Sequence, residues 1–336
     1  MQISSKQKTV LIVGGAGYIG SVLTRIMLDA GYNVRVLDNL LYNNASAVSD
    51  LLSNTRFSFV RGDFCDSTTL KESLSGITDV VLLAALVGDP ICKKYPDEAR
   101  RVNLEGSIHL IEELSHHEMD RFIFLSTCSN YGPREDDKPA HEESELNPQS
   151  LYAETKVNVE RYLRYDIDAF NFCPIILRSA TAFGLSPRMR FDLTVPEFTR
   201  ELTLGRELVV YDENTWRPYC HVADISEAIM LVIGADSRLV RGEVFNVGSS
   251  SENHTKREIV EIICGKINDC RIIYRQGGID PRNYRVLFDK IATILGFSNK
   301  YKVADSIDEL IREIRNGRFE DIESNKAFYG NYYLRQ

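Results

Sequence analysis

The chain has no apolar run long enough to cross a bilayer; its longest, such as Val80–Val87, are strand-sized. It has no surplus of positive charge either. Forty Lys and Arg against 48 Asp and Glu leave a net charge of −8 and a pI near 5.4, which argues against a surface built for nucleic acid or anionic membrane. The seven cysteines lack metal-ligand or redox-pair spacing. They read as reduced thiols, most of them core residues, in a cytoplasmic protein with no metal site. No tract is compositionally biased and no internal repeat is visible. The opening MQISSKQK is short and polar and leads into a strand-sized run, so no signal peptide is expected.

What remains is an ordinary globular enzyme composition, 43% apolar and 26% charged over 336 residues, long enough for a sizeable core. The first half alternates short β-branched runs with amphipathic stretches. Thr9–Val13, Asn33–Leu37, Phe57–Val60, Val80–Leu83 and Phe122–Leu125 read as strands without polar alternation, as in a parallel sheet covered on both faces. Tyr18–Ala30, Ala45–Leu52, Ser67–Leu74 and Pro96–His117 read as helices, with Gly31 placed for a left-handed cap. Phe172–Leu177 and Val244–Val247 add two strands, and Asp224–Ile233 a helix that Asp224 is expected to cap. The fold class is α/β: a Rossmann-type doubly wound parallel sheet with a smaller, interleaved C-terminal substrate domain. Residues 1–179 and about 218–248 make the first domain; about 180–217 and 249–330 make the second.

TVLIVGGAGYIG sets Gly14, Gly17 and Gly20 between the first strand and the first helix. A dinucleotide pyrophosphate needs backbone N–H groups at a helix N-terminus, and close approach requires residues without side chains. Asp38 ends the second strand, where a carboxylate accepts from the adenosine ribose and repels a 2′-phosphate. No Arg or Lys follows it in DNLLYNN, so NAD is favoured over NADP. Asp63, in RGDFCD, either meets the adenine or serves as a turn or capping acid.

Two groups carry chemistry. In SLYAETKVNVERYL, Tyr152 and Lys156 lie four apart on one helical face. A phenol of ordinary pKa ~10 becomes a base near neutrality only if its phenolate is stabilised, as a lysine one turn away can do. Upstream, STCSNYG presents Thr127, Cys128 and Ser129 at the end of a strand.

Together these motifs resemble the extended short-chain dehydrogenase/reductases of the nucleotide-sugar epimerase/dehydratase group. GGAGYIG, Asp38, GDFCD, LLAAL, Asn103 in RRVNLEGS, STCSNYG, YAETK, RPYCHVADI and FNVGSS fall in that family's order over roughly residues 9–250. The resemblance implies a Tyr152 base, Lys156 holding it and the nicotinamide ribose, and a Thr127 hydroxyl polarising the sugar oxygen. A sugar carbon, usually C4, would then give its hydride to NAD. The keto sugar would be re-reduced from the other face as in an epimerase, released as in a 4-dehydrogenase, or, as the alternative, eliminated as in a dehydratase of non-4,6 type. The cofactor would rest on Gly14, Gly17, Tyr18, Ile19, Gly20, Asp38, Asn39, Asp63, Phe64, Leu83, Ala84, Ala85, Ser126, Tyr152 and Lys156.

Cys128 is counted with the catalytic group as a residue that either touches the sugar or packs beside the cofactor. The family's 4,6-dehydratases carry Thr-Asp-Glu where this chain has Thr127, Cys128 and Ser129, and serine is a poor base for a carbon-bound proton. Simple 4,6-dehydration is therefore disfavoured. No histidine is identifiable as a partner for a Cys128 nucleophile; His141 and His221 read as exposed or structural.

The substrate side departs from the commonest epimerases, with Thr181 in place of the family's Asn. SPRMRFDLTVPEF and AALVGDPICKK resemble the branch holding GDP-heptose C4 dehydrogenases. On this resemblance Val87, Thr181, Arg188, Arg190, Arg217 and Arg282 face a nucleotide-diphosphate sugar, the arginines suiting a diphosphate. Trp216 either stacks on the base or belongs to the core. The aromatic tail 318–336 either packs on the second domain or extends free. Helices 96–117 and 149–165 would form a homodimer interface. A dinucleotide sensor without catalysis is the competing class, and the intact Thr127, Tyr152 and Lys156 argue against it. An RNA-binding derivative would need a basic stripe that this acidic chain does not supply.

Overall fold

The structure is a computed structural model that describes residues 8–134, 138–277 and 283–334. Its centre is a seven-stranded, all-parallel sheet. The strands are β1 (Thr9–Val13), β2 (Asn33–Asp38), β3 (Phe57–Arg61), β4 (Asp79–Leu82), β5 (Arg121–Thr127), β6 (Cys173–Ser179) and, after three others, β10 (Val244–Val247). The order β3-β2-β1-β4-β5-β6-β10 reverses direction between β1 and β4, and such a switch opens a crevice beyond the strand ends. Both faces are covered: one apolar cluster packs Val10, Ile12, Ile123 and Ile175 against the helices Gly20–Asp29 and Val222–Gly234. Another packs Leu11, Leu82, Phe122 and Phe124 against Ser67–Leu74, Ser107–Leu114 and Leu151–Tyr165. That two-sided burial is why the strands carry no polar alternation.

A second body of structure has its own apolar cluster, drawn from residues between Phe183 and Tyr329 with Tyr18 of the first helix. It holds β7 (Thr181–Phe183), β8 (Glu207–Tyr211), β9 (Trp216–His221), β11 (Asn253–Thr255) and β12 (Arg271–Arg275), arranged as β11-β9-β7 and β12-β8. The helices Thr194–Thr203, Lys256–Cys264 and Val303–Arg315 pack on them.

Gly31 has φ +90°, and Tyr32 and Gly31 donate backbone bonds to Met27 and Leu28, closing the first helix as expected. Four other expectations are corrected. Ala45–Leu52 is not an α-helix but two 3₁₀ turns, Asn44–Ala47 and Ser49–Ser53, entered from a left-handed Asn43. The Pro96–His117 stretch is interrupted by a π turn at Arg101–Gly106. Asp224 does not cap its helix: His221 does, its Nδ1 accepting from the Ala223 N–H, while buried Asp224 accepts from the N–H groups of Lys300 and Tyr301. Finally, not every cysteine is a thiol. Cys264 and Cys270, Cα atoms 5.9 Å apart, are joined in a disulfide.

Candidate active site

The crevice is a cleft of about 910 Å³ above the C-terminal ends of β1, β2, β4, β5 and β6, roofed by the second body of structure. Its floor is the glycine loop. Gly14 has φ +87°, and a Cβ there would lie 2.7 Å from the Ala84 nitrogen; a Cβ on Gly20 would run into the Gly14 carbonyl oxygen. Only glycine leaves the loop this tight, with the N-terminus of Gly20–Asp29 opening onto the cleft. Gly17, Tyr18 and Ile19 line the same wall.

At the end of β2, Asp38 accepts from the N–H of Ala16 (3.0 Å) and of Leu40 (2.9 Å). Burial raises its pKa and those N–H groups oppose the rise. Its carboxylate borders the cleft beside Asn39, with the Asn44 side chain also interacting with it. Asp63 accepts from the Cys65 N–H and from Arg101 Nη2, both at 3.0 Å, and Asp66 rather than Asp63 caps the next helix. Phe64, Leu83, Ala84 and Ala85 complete this half, with Leu83 and Ala84 both donating to the Val13 carbonyl at 2.9 Å. The π turn aims buried Asn103 at Leu86, accepting from its N–H (2.7 Å) and donating to its carbonyl (3.0 Å), which fixes the loop above the cleft. These features fit a dinucleotide: a side-chain-free phosphate cradle, a carboxylate for a ribose and an apolar slot.

The far half holds the polar strand end and the helix Leu151–Tyr165. Ser150 caps that helix by accepting from Ala153 N, which sets Tyr152 and Lys156 into the cleft. Lys156 is 2% exposed, donates to the Leu125 carbonyl (2.9 Å) and has Nζ 6.0 Å from the Tyr152 ring centre. Burial pulls the Lys156 ammonium down to about 7, against the opposing charge of Glu160 one turn on. Burial, with Cys92 next, pushes the Tyr152 phenol up. Thr127 Oγ1 and Ser129 Oγ share a hydrogen bond of 2.7 Å at the cleft wall, and Ser129 N–H also donates to Thr127.

Cys128 is not part of this wall. It is fully buried, its Sγ donates to the Arg178 carbonyl (3.1 Å), and burial raises its thiol well above the ordinary value. The Ser126 hydroxyl, although bordering the cleft, donates to Glu160 and accepts from Asn130.

Of the substrate-side residues, Val87, Thr181, Arg188, Arg190 and Arg217 line the cleft; Arg282 lies outside the described residues. Arg190 grips Asp192 with two bonds (3.0 and 2.6 Å), and burial is outweighed by that partner. Arg217 donates to the Trp216 carbonyl (2.7 Å) and lies 5.4 Å from the Tyr284 ring centre. Trp216 is only partly buried, under the Arg285 guanidinium, rather than in the core. The tail packs: Phe328 and Tyr329 enter the second cluster, while Asn331, Tyr332 and Leu334 line the cleft. Sequence reasoning passed over Arg101, Asn331 and the Glu160–Arg178 pair, whose partners are distant in the chain.

Comparison with known proteins places the chain in a family. Residues 10–248 match the NAD-dependent epimerase/dehydratase family. A dTDP-glucose 4,6-dehydratase from Streptomyces niveus is 30% identical over 324 residues, 92% of this chain and 93% of its own. A UDP-glucose 4-epimerase from Halalkalibacterium halodurans is 28% identical over 322 residues, 89% and 93% of the two chains. The crystal structure of a Thermus thermophilus UDP-glucose 4-epimerase in complex with NAD superposes with a TM-score of 0.78 at 25% identity, covering 91% of this chain and 99% of that one. The chain belongs to the NAD-dependent epimerase/dehydratase family, and NAD is its cofactor.

Proposed function

We propose that the protein oxidises C4 of a nucleotide-diphosphate sugar and acts as an epimerase, returning the hydride to the opposite face. The observation that carries this reading is the convergence of Thr127 and Tyr152 on one cleft, with Lys156 buried one turn below Tyr152 and the glycine loop opposite. When bound, NAD supplies the hydride acceptor and a cationic ring. Tyr152 takes the proton of the C4 hydroxyl; Lys156, held by the Leu125 carbonyl, stabilises the phenolate. Thr127, in a hydroxyl pair with Ser129, donates to the sugar oxygen as negative charge develops there. On re-reduction Tyr152 returns the proton. Arg217 meets the substrate diphosphate.

A 4-dehydrogenase that releases the keto sugar uses the same residues and is the second reading, favoured by Thr181 where the commonest epimerases have Asn. Simple 4,6-dehydration is disfavoured because Cys128 is turned into the core and Ser129 offers only a hydroxyl. We further propose a homodimer through the helices around 96–114 and 151–165. Product mass and NADH absorbance across UDP-, GDP-, dTDP- and CDP-sugars test the reading. Unchanged mass with inverted C4 supports epimerisation, net NADH supports the dehydrogenase, and no turnover of any sugar refutes both.

A further inference from the structure

Arg188 is the most unusual cation in the cleft. It is 2% exposed, has no ion-pair partner among the described residues, and its Nε is buried with no hydrogen-bond acceptor. Burial and the neighbouring Arg190 charge pull it down to about 10. Its guanidinium sits 4.7 Å from the ring centre of Tyr42, whose hydroxyl is likewise buried without a partner. The Asp192 and Asp38 carboxylates offset this only in part, and a buried guanidinium without an ion-pair partner is costly unless a ligand completes it.

The segment that carries Arg188 is fastened to the glycine loop. Ser186 Oγ donates to the Tyr18 carbonyl (2.7 Å) and lies 3.1 Å from Ser21 Oγ, and Tyr18 OH donates to the Gly184 carbonyl (2.6 Å). On its other side Arg188 donates to Asn331 Oδ1 (2.8 Å), and Asn331 Nδ2 donates to the Val87 carbonyl (3.1 Å). Tyr42 follows β2 and Val87 follows β4, and β1 lies between those strands in the sheet. The contacts Tyr42–Arg188–Asn331–Val87 therefore cross above the end of β1, where the glycine loop stands.

We propose that Arg188 and Tyr42 form a phosphate-binding pair for the dinucleotide, held across the glycine loop by a C-terminal strap in which Asn331 is the positioning residue. The pyrophosphate gives the guanidinium the anion it lacks, on the side opposite the backbone N–H groups of the loop. NAD would then leave only when the strap opens, and the tail would govern cofactor retention rather than substrate affinity. This rests on NAD as the cofactor and not on which sugar is turned over.

The test compares full-length protein with Arg188→Lys, Asn331→Ala and a form ending at Tyr329. Three quantities are read: the NAD dissociation rate by exchange against labelled NAD, the affinity for UDP, GDP, dTDP and CDP as probes of the substrate diphosphate, and melting temperature with and without NAD. The expected result is a dissociation rate raised about tenfold or more in all three variants, with probe affinities changed less than about threefold. The upward shift in melting temperature on adding NAD should shrink correspondingly. Weakened probe binding with an unchanged NAD rate would assign Arg188 to the substrate and overturn the proposal. A melting temperature lowered equally with and without NAD, at an unchanged rate, would reduce the tail to a structural role and overturn it as well.

Discussion

Removing Glu160 should cost far more than its distance from the reacting atoms suggests. Its carboxylate accepts from Arg178 Nε (3.2 and 3.1 Å to the two oxygens) and Nη2 (2.7 Å), from Asn130 Nδ2 (2.8 Å) and from the Ser126 hydroxyl. The Glu160 and Arg178 side chains are 2% and 1% exposed. Among the described residues, Glu160→Ala leaves the guanidinium with only the Tyr131 hydroxyl and the Glu142 carbonyl, both at 3.0 Å, and no ion-pair partner. Stripping one partner from a buried ion pair costs about 3–5 kcal/mol, a large share of a typical stability of roughly 5–15 kcal/mol. Urea titration followed by both fluorescence and circular dichroism should show the midpoint fall accordingly. The double variant Glu160→Leu, Arg178→Met should recover only part of the loss: it removes the unpaired charge but leaves Asn130 Nδ2 and the Glu142 carbonyl without these partners. Glu160 also opposes the depression of Lys156, so Glu160→Gln should reduce turnover at neutral pH beyond any loss of folded protein. A Glu160→Ala shift under about 1 kcal/mol would refute the account of this pair as a buried support for the strand end and the Lys156 helix.

Other expectations are simpler. Tyr152→Phe should nearly abolish turnover while leaving NAD affinity within a few-fold, measured by calorimetry; surviving turnover would remove Tyr152 from the proton path. Gly20→Ala should lose NAD binding, read as the absence of co-purifying NAD after denaturation, because the added carbon meets the Gly14 carbonyl. Lys156 binds its proton with a pKa of about 7 when folded and ~10.4 when unfolded, so the unfolded chain holds the extra proton between those values. Relative to Lys156→Met, the cofactor-free protein should therefore gain stability as pH rises from about 7 towards 10, by up to about 1.4 kcal/mol per pH unit. Alkylation of the denatured, unreduced protein should label five cysteines, and prior reduction should raise the number to all seven.

The parts legible in the sequence are those governed by local chemistry. Each strand of the main sheet is a short β-branched run, and all seven fall within about two residues of the boundaries read from the sequence. The glycine loop, Asp38 and the Tyr152–Lys156 spacing follow from what a phosphate, a ribose and a phenolate require. The illegible parts depend on neighbours far along the chain. Arg101 reaches Asp63 across 38 residues, and Asn331 reaches Arg188 across 143. Nothing in residues 264–270 announces a disulfide, and a left-handed Asn43 turns an apparently helical stretch into 3₁₀ turns. The place of Cys128 is a middle case. Thr127 ends β5 and caps a 3₁₀ turn over Cys128–Tyr131, and that turn brings the Ser129 hydroxyl back to Thr127 at the cleft while Cys128 points into the core. The polar strand end was legible in the sequence; the 3₁₀ turn that separates Cys128 from its two neighbours was not.

The central claim is oxidation at C4 by this chain's own Thr127, Tyr152 and Lys156, and a nucleotide sugar carrying deuterium at C4 tests it most directly. Once a turned-over sugar is found, the label should remain at C4 of an inverted product or appear in NADH, with a primary isotope effect on the chemical step, and Tyr152→Phe should abolish both outcomes. Conversion that leaves the C4 deuterium in place with C4 uninverted, or that proceeds equally well in Tyr152→Phe, would contradict the account.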